Sequence, residues 1–202
     1  MRRSECEVDD PEAAATVLRE CDYGVLSLNS GGEPYGVAVN FAFCGGVLYF
    51  HGSLEGRKAE AIGEAAQGAF LAVKPYAFIP SYFSDTRSAC PATQYFASVH
   101  ISGTVRRVVD PAEKAFGLTA LMEKMQPEGG YEPIDPADPV YTNVLEKTGV
   151  YKLVPSTVSL KVKAGQNLAQ NRHERLIGRL LERGAETDRT TIEAMEAFRP
   201  WH

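Results

Sequence analysis

From Val25 to His51 the chain repeats a pattern that an antiparallel fold satisfies and few others do. Short runs of β-branched, aromatic and aliphatic residues alternate with clusters of turn formers. Val25-Leu26-Ser27-Leu28 leads into Asn29-Ser30-Gly31-Gly32-Glu33-Pro34; Tyr35 to Phe43 leads into Cys44-Gly45-Gly46; Val47-Leu48-Tyr49-Phe50-His51 follows. Such runs read as consecutive hairpins. Further strands are expected at Ala69–Val73, Gln94–Val109, Gly149–Val154 and Val158–Val162, the last two around a Pro155-Ser156 turn. Gly103 reads as a bulge or a point of close backbone approach.

Helix-start signals fall between and after these runs. Asp10-Pro11-Glu12 and Asp110-Pro111-Ala112-Glu113 each place a capping carboxylate before proline. Arg57 to Ala66 has a helical pattern, and Leu176, Ile177, Leu180 and Leu181 line one face of a helix that Gly184 ends. Thr190-x-x-Glu193 opens a last short helix. Residues 75–93, with three prolines, read as a long loop or lid, and residues 127–139 as a second loop. Six or seven strands in hairpin order with flanking helices predict an antiparallel barrel or sheet of the α+β class, mainly β.

Composition narrows the function classes. A length of 202 residues suits one compact domain, and 44% hydrophobic with 23% charged residues is ordinary for a globular chain. Net charge of −5 argues against a non-specific nucleic-acid binder. No apolar run has the length of a membrane helix, and the N-terminus turns acidic where a signal peptide would be apolar, so a cytoplasmic protein is expected. Cys6, Cys21, Cys44 and Cys90 form no CxxC pair and read as free thiols, with no metal site implied. Dinucleotide-fold, P-loop, zincin and nucleophile-elbow motifs do not occur.

The segment with the most chemistry is Leu48-Tyr49-Phe50-His51-Gly52-Ser53-Leu54-Glu55-Gly56-Arg57-Lys58. A strand ends, a glycine-punctuated turn follows, and a helix opens on two cations. Cations oppose the helix dipole at that end unless an anion sits there. Arg57 can fork two phosphate oxygens, Lys58 adds a point charge, Ser53 can donate a hydrogen bond, and His51 ends the strand beside them. Taken singly, Arg57 and Lys58 could be a solvated face and His51 an edge histidine. Together they favour a phosphate or carboxylate ligand.

These residues also carry a family resemblance. PYGVAVNF, YFHGSLEGRK and QYFASVHISGTV, followed by the capped helix with Glu113-Lys114, resemble the flavin-binding split-barrel superfamily. Within its pyridoxamine 5′-phosphate oxidase-like group, the chain is most similar to the 5-nitroimidazole resistance (nitroimidazole reductase) branch. The similarity runs from Arg2-Arg3 to about residue 125 and resumes at Ser159–Asn167, where LKVKAGQN looks like a GKxKLSQN-type motif. The resemblance implies an antiparallel split β-barrel over residues 1–165, with a helical C-terminal extension, 166–202, packed on the same domain. It also implies a homodimer with FMN at the subunit interface.

By the same resemblance, Arg57 and Lys58 hold the flavin phosphate, Val39, Asn40 and Phe41 run along the ring, and Phe50, His51 and Ser53 border the ribityl phosphate. Ser98 would reach in from the other subunit. Lys161, Lys163, Gln166 and Asn167 would approach from the C-terminal segment, a lysine there stabilising reduced flavin. His51 is the candidate catalytic position, since similar proteins hold a small carboxylate at this histidine.

The implied activity is transfer of electrons from NAD(P)H to a small flat aromatic acceptor, nitroaromatic or quinone-like. The alternative is a flavin- or haem-binding sensor without turnover. True pyridoxamine phosphate oxidases carry a C-terminal tryptophan and an Arg-x-His element; here Trp201 and Leu160-Lys161-Val162 stand instead, which puts that substrate in doubt. Tyr76, Phe78, Tyr82, Phe83, Tyr95 and Phe96 suggest an aromatic lid or loop anchoring, and His173 and His202 read as surface residues.

Overall fold

The computed structural model describes residues 3–84 and 87–201; Arg2 and His202 lie outside that set. Eight strands form one sheet: β1 (Glu7–Val8), β2 (Tyr23–Ser30), β3 (Glu33–Asn40), β4 (Ala42–Cys44), β5 (Val47–Gly52), β6 (Ala65–Ile79), β7 (Thr93–Arg107) and β8 (Gly149–Lys163). Six helices accompany them: α1 (Pro11–Glu20), α2 (Arg57–Ile62), α3 (Pro111–Met125), α4 (Pro139–Lys147), α5 (Gln170–Arg183) and α6 (Asp188–Ala197). The strand order is β3-β2-β6-β7-β8-β5-β4, with β1 on β8, and the sheet is not closed. The class is α+β, mainly antiparallel sheet, as expected from the hairpin pattern. Among the described residues, no helix is long and apolar enough to cross a membrane.

The chain divides into two compact units. One comprises residues 11–72 and 99–158, the other residues 1–10, 73–98 and 159–202. In the first, Leu26, Phe41, Leu48, Phe50, Phe70, Ile101 and Leu153 are fully buried, and the Phe41 and Phe70 rings meet edge to face at 4.7 Å. Lys124 of α3 closes the end of α1: its ammonium donates to the Leu18, Cys21 and Phe41 carbonyls at 3.0, 2.6 and 3.0 Å and stands over the Phe41 ring. That satisfies carbonyls which the last helical turn leaves unpaired. In the second unit, Tyr95, Leu160, Val162, Leu176, Leu180 and Met195 form the core.

Five local expectations need correction. The run Tyr35–Phe43 is not one strand: it breaks at the fully buried Phe41 into β3 and β4, which end the strand order on opposite sides. Strand β6 continues through Pro75 to Ile79, because Tyr76, Ala77 and Ile79 are buried, so the loop begins only after residue 79. Strand β8 is continuous through Pro155, where Ser156 Oγ donates to the Ser102 carbonyl at 3.0 Å. Helix α2 is six residues long and ends at Gly63, with β6 already starting at Ala65. His173 is buried, its Nε2 3.1 Å from the Met195 carbonyl and its ring edge-on to Trp201. The close approach read from Gly103 is present: a Cβ there would collide with the Val154 carbonyl.

Candidate functional site

A cleft of about 470 Å³ lies in the first unit, lined by Tyr23, Val37, Ala38, Val39, Asn40, His51 and Lys58. Each wall follows from local sequence. Strand β3 is the terminal strand of the sheet order, so alternate residues direct N–H and C=O groups away from β2. Tyr23 and Asn40 face each other across β2 and β3, and Asn40 Nδ2 donates to the Asp22 carbonyl at 3.0 Å. His51 stands near the end of β5. Gly52, its neighbour, pairs with Gly149 on β8, and a Cβ at Gly52 would collide with Lys58 Nζ. The glycine therefore makes the path along which Lys58 crosses the strand end.

The electrostatics of the cleft centre on those two side chains. Lys58 Nζ donates to the His51 carbonyl at 3.5 Å, at the long limit of a hydrogen bond, and sits over the stacked Phe50 and Tyr151 rings at 5.6 and 5.3 Å. Burial pushes the Lys58 ammonium below its usual pKa. Burial first, and the Lys58 charge second, push His51 below 6.5. The imidazole is thus neutral at pH 7, and the ammonium beside it has no carboxylate partner among the described residues.

Four other expected residues of this unit do not line this cleft. Arg57 turns to the β2–β3 hairpin: its Nε donates to Ser30 Oγ at 3.1 Å, its Nη2 to Glu33 at 3.3 Å, and it stacks over Tyr35. The Arg57–Glu33 pair is exposed and worth about 0–1 kcal/mol. Ser53 Oγ accepts from the Glu55 N–H at 3.0 Å, and its carbonyl accepts from Tyr151. Phe41 and Phe50 are fully buried. Neither ring lines the cleft, and burying such a ring contributes roughly 1.5–3 kcal/mol. Tyr23 and Val37 were missed. Alternation along β3 points to Val37, but the pairing that brings Tyr23 opposite Asn40 has no local signal.

The remaining expected residues belong to the second unit. Lys161, Lys163 and Asn167 line a separate cleft of about 930 Å³, together with Arg3, Arg172 and Arg175, which the sequence reading missed. Gln166 is buried and satisfied within its own turn, donating to the Val162 carbonyl and accepting from the Ala164 N–H, both at 2.8 Å. Ser98 is half-buried on the face of β7 opposite Ala97 and Val99.

Comparison with known proteins bears on the fold and the family. No curated protein matches the sequence. The fold is shared with a proposed 5-nitroimidazole antibiotic resistance protein from Bacteroides thetaiotaomicron (TM-score 0.61, 19% identity, covering 77% of this chain and 86% of that one). It is also similar to the flavocytochrome Anf3 from Azotobacter vinelandii (TM-score 0.69, 22% identity, 86% and 77%). A third similar structure is an FAD and haem binding protein from Mycobacterium smegmatis (TM-score 0.65, 19% identity, 79% and 74%). The profile described as pyridoxamine 5′-phosphate oxidase matches residues 10–162, which contain every strand of the β3–β5 cleft, and the chain therefore belongs to that family of split-barrel proteins.

Proposed function

We propose that the protein is a flavin-dependent oxidoreductase that holds FMN in the cleft between β3 and β5. The observation that carries this reading is the joining of an edge strand, a neutral imidazole and a carboxylate-free ammonium around one opening. The outward N–H and C=O groups of Val37–Asn40 match the polar edge of a planar ring. Lys58 supplies the charge for a phosphate. Arg57 joins it by exchanging its weak exposed partner Glu33 for phosphate oxygens. Bound flavin supplies hydride and single-electron chemistry; the protein sets position and electrostatics. His51, neutral at pH 7, borders the ring and can accept or return a proton there.

Reduction of a small flat aromatic acceptor, nitroaromatic or quinone-like, with electrons from NAD(P)H is the activity this site suits. The partner in such a site is a second copy of the chain. Tyr23, Val25, Ala38 and Leu71 lie on one exposed face of β3, β2 and β6 beside the cleft, an apolar surface that a homodimer would cover. In that dimer Ser98, Lys161, Lys163 and Asn167 of one copy are the expected contacts toward the flavin of the other.

Absorbance of the purified protein before and after FMN addition tests the reading. The expected result is a flavin spectrum that co-elutes with the protein and is lost in Arg57→Ala/Lys58→Ala, with NAD(P)H consumed when a nitroaromatic acceptor is present. A colourless protein that ignores FMN would sink it. The similarity to a flavocytochrome and to an FAD and haem binding protein favours one second reading, a haem- or flavin-binding protein without turnover. A Soret band, or bound flavin without NAD(P)H consumption, is its signature.

A further inference from the structure

Lys124 is a half-buried cation that the flavin reading does not use. Its ammonium is enclosed by the Leu18, Cys21 and Phe41 carbonyls at 3.0, 2.6 and 3.0 Å, with the centre of the Phe41 ring 3.7 Å away. Among the described residues no carboxylate pairs with it. An ammonium has three N–H donors and here meets three carbonyl oxygens, so every donor has its own acceptor.

Two of these carbonyls adjoin the wall of the cleft between β3 and β5. Cys21 precedes Asp22, whose carbonyl accepts from Asn40 Nδ2 at 3.0 Å, and Phe41 follows Asn40 at the break between β3 and β4. Two side chains thus join the same two short segments: Lys124 ties Cys21 to Phe41, and Asn40 ties itself to Asp22. Tyr23 and Asn40 pair across β2 and β3, and both line the cleft. The fully buried Phe41 ring, edge-on to Phe70, anchors this corner in the core.

We infer that Lys124 is a positioning residue for the flavin cleft: through the Cys21 and Phe41 carbonyls its ammonium fixes the corner that carries Tyr23 and Asn40, and loss of its proton weakens flavin binding. The inference rests on the flavin reading of that cleft. A neutral amine has two N–H donors and a lone pair. One of the three carbonyls then loses its donor and faces that lone pair, and the corner relaxes. Burial, the largest cause, lowers the Lys124 pKa to about 8. The ionisable groups acting on it are Cys21 and Asp22, between α1 and β2, and both favour the charged form. From the β3–β4 break, Phe41 offers its carbonyl and its ring. The clamp is therefore complete below about pH 8 and is lost as pH rises through that value.

NMR of the flavin-free parent chain across this range tests the clamp directly, by following the Lys124 Cε and Asn40 Nδ2 resonances. The two should titrate together, near pH 8. Affinity for FMN, read by fluorescence quenching, should fall about fivefold over the same step. Riboflavin, which lacks the phosphate assigned to Lys58, should show the same fall. Lys124→Arg stays charged throughout and should bind FMN with no step near pH 8, and a thermal melt checks that it folds. An Asn40 amide that ignores the Lys124 titration, a step that persists in Lys124→Arg, or a fall confined to FMN overturns the inference. A parent that binds FMN at no pH removes the flavin reading, while the NMR result by itself still upholds or overturns the clamp.

Discussion

His51 and Lys58 show how a single local choice sets chemistry. Gly52 has no Cβ, Lys58 occupies the space one would need, and its ammonium ends beside the His51 carbonyl. The imidazole loses part of its hydration and gains a positive neighbour, and both effects disfavour its protonation. Because burial is the larger cause, Lys58→Gln should raise the His51 pKa without restoring it to 6.5. Titration of the imidazole by NMR reads this directly, and an unchanged midpoint would remove Lys58 from the account. The stability consequence has a definite sign. The folded pKa lies below the unfolded one, so this group removes stability as pH falls from 6.5 through its lowered value.

Among the elements, the α5–α6 corner is the most dependent on one residue. Asp188 is 2% exposed and forms a bidentate pair with Arg183, while also accepting from the Ala185 N–H at 2.7 Å. Arg183 in turn donates to the Phe78 carbonyl at 2.9 Å, and Thr191 Oγ1 accepts from the Ala77 N–H at 2.8 Å. Both helices are thereby tied to the far half of β6. Asp188→Asn should lower stability by about 2–4 kcal/mol, measured by denaturant unfolding, because Arg183 loses its charged partner. The hydrogen bond from Arg183 holds the Asp188 carboxyl below 3.8. Its contribution is complete above that value and lost as pH falls through the folded pKa, and the asparagine variant should lack this part of the acid dependence.

For the whole molecule, the question is what covers the β3-β2-β6 face. Val25 and Leu71 are directly opposed across β2 and β6 and are 41% and 40% exposed, with Tyr23 at 66% on the same side. A contiguous apolar face left uncovered is a candidate interface, whereas single exposed apolar residues are ordinary. Under the dimer reading, Val25→Glu/Leu71→Glu should convert the protein to a monomer in sedimentation analysis and reduce FMN retention. A variant that remains dimeric would remove this face from the interface.

The β2–β3 and β4–β5 hairpins, the α+β class, the proline-capped starts of α1 and α3 and the strand–turn–helix around His51 were legible in the sequence; the break at Phe41 that sends β3 and β4 to opposite ends of the strand order was not. Turn residues, caps and alternation act over a few neighbours. The partner of Arg57, the burial of His173, the continuity of β6 and β8 through their prolines, and the cap of α1 by Lys124 were not. Each joins groups far apart in the chain, and the free energy that selects it exists only once both are in place. The same holds for the two clefts. Lys161 and Lys163 were visible as alternating lysines, but Arg3, Arg172 and Arg175 join them only where the N-terminus, β8 and α5 converge. Local sequence determined which elements form and which residues carry charge; tertiary packing decided which of those charges share one surface, because that depends on contacts no local pattern encodes.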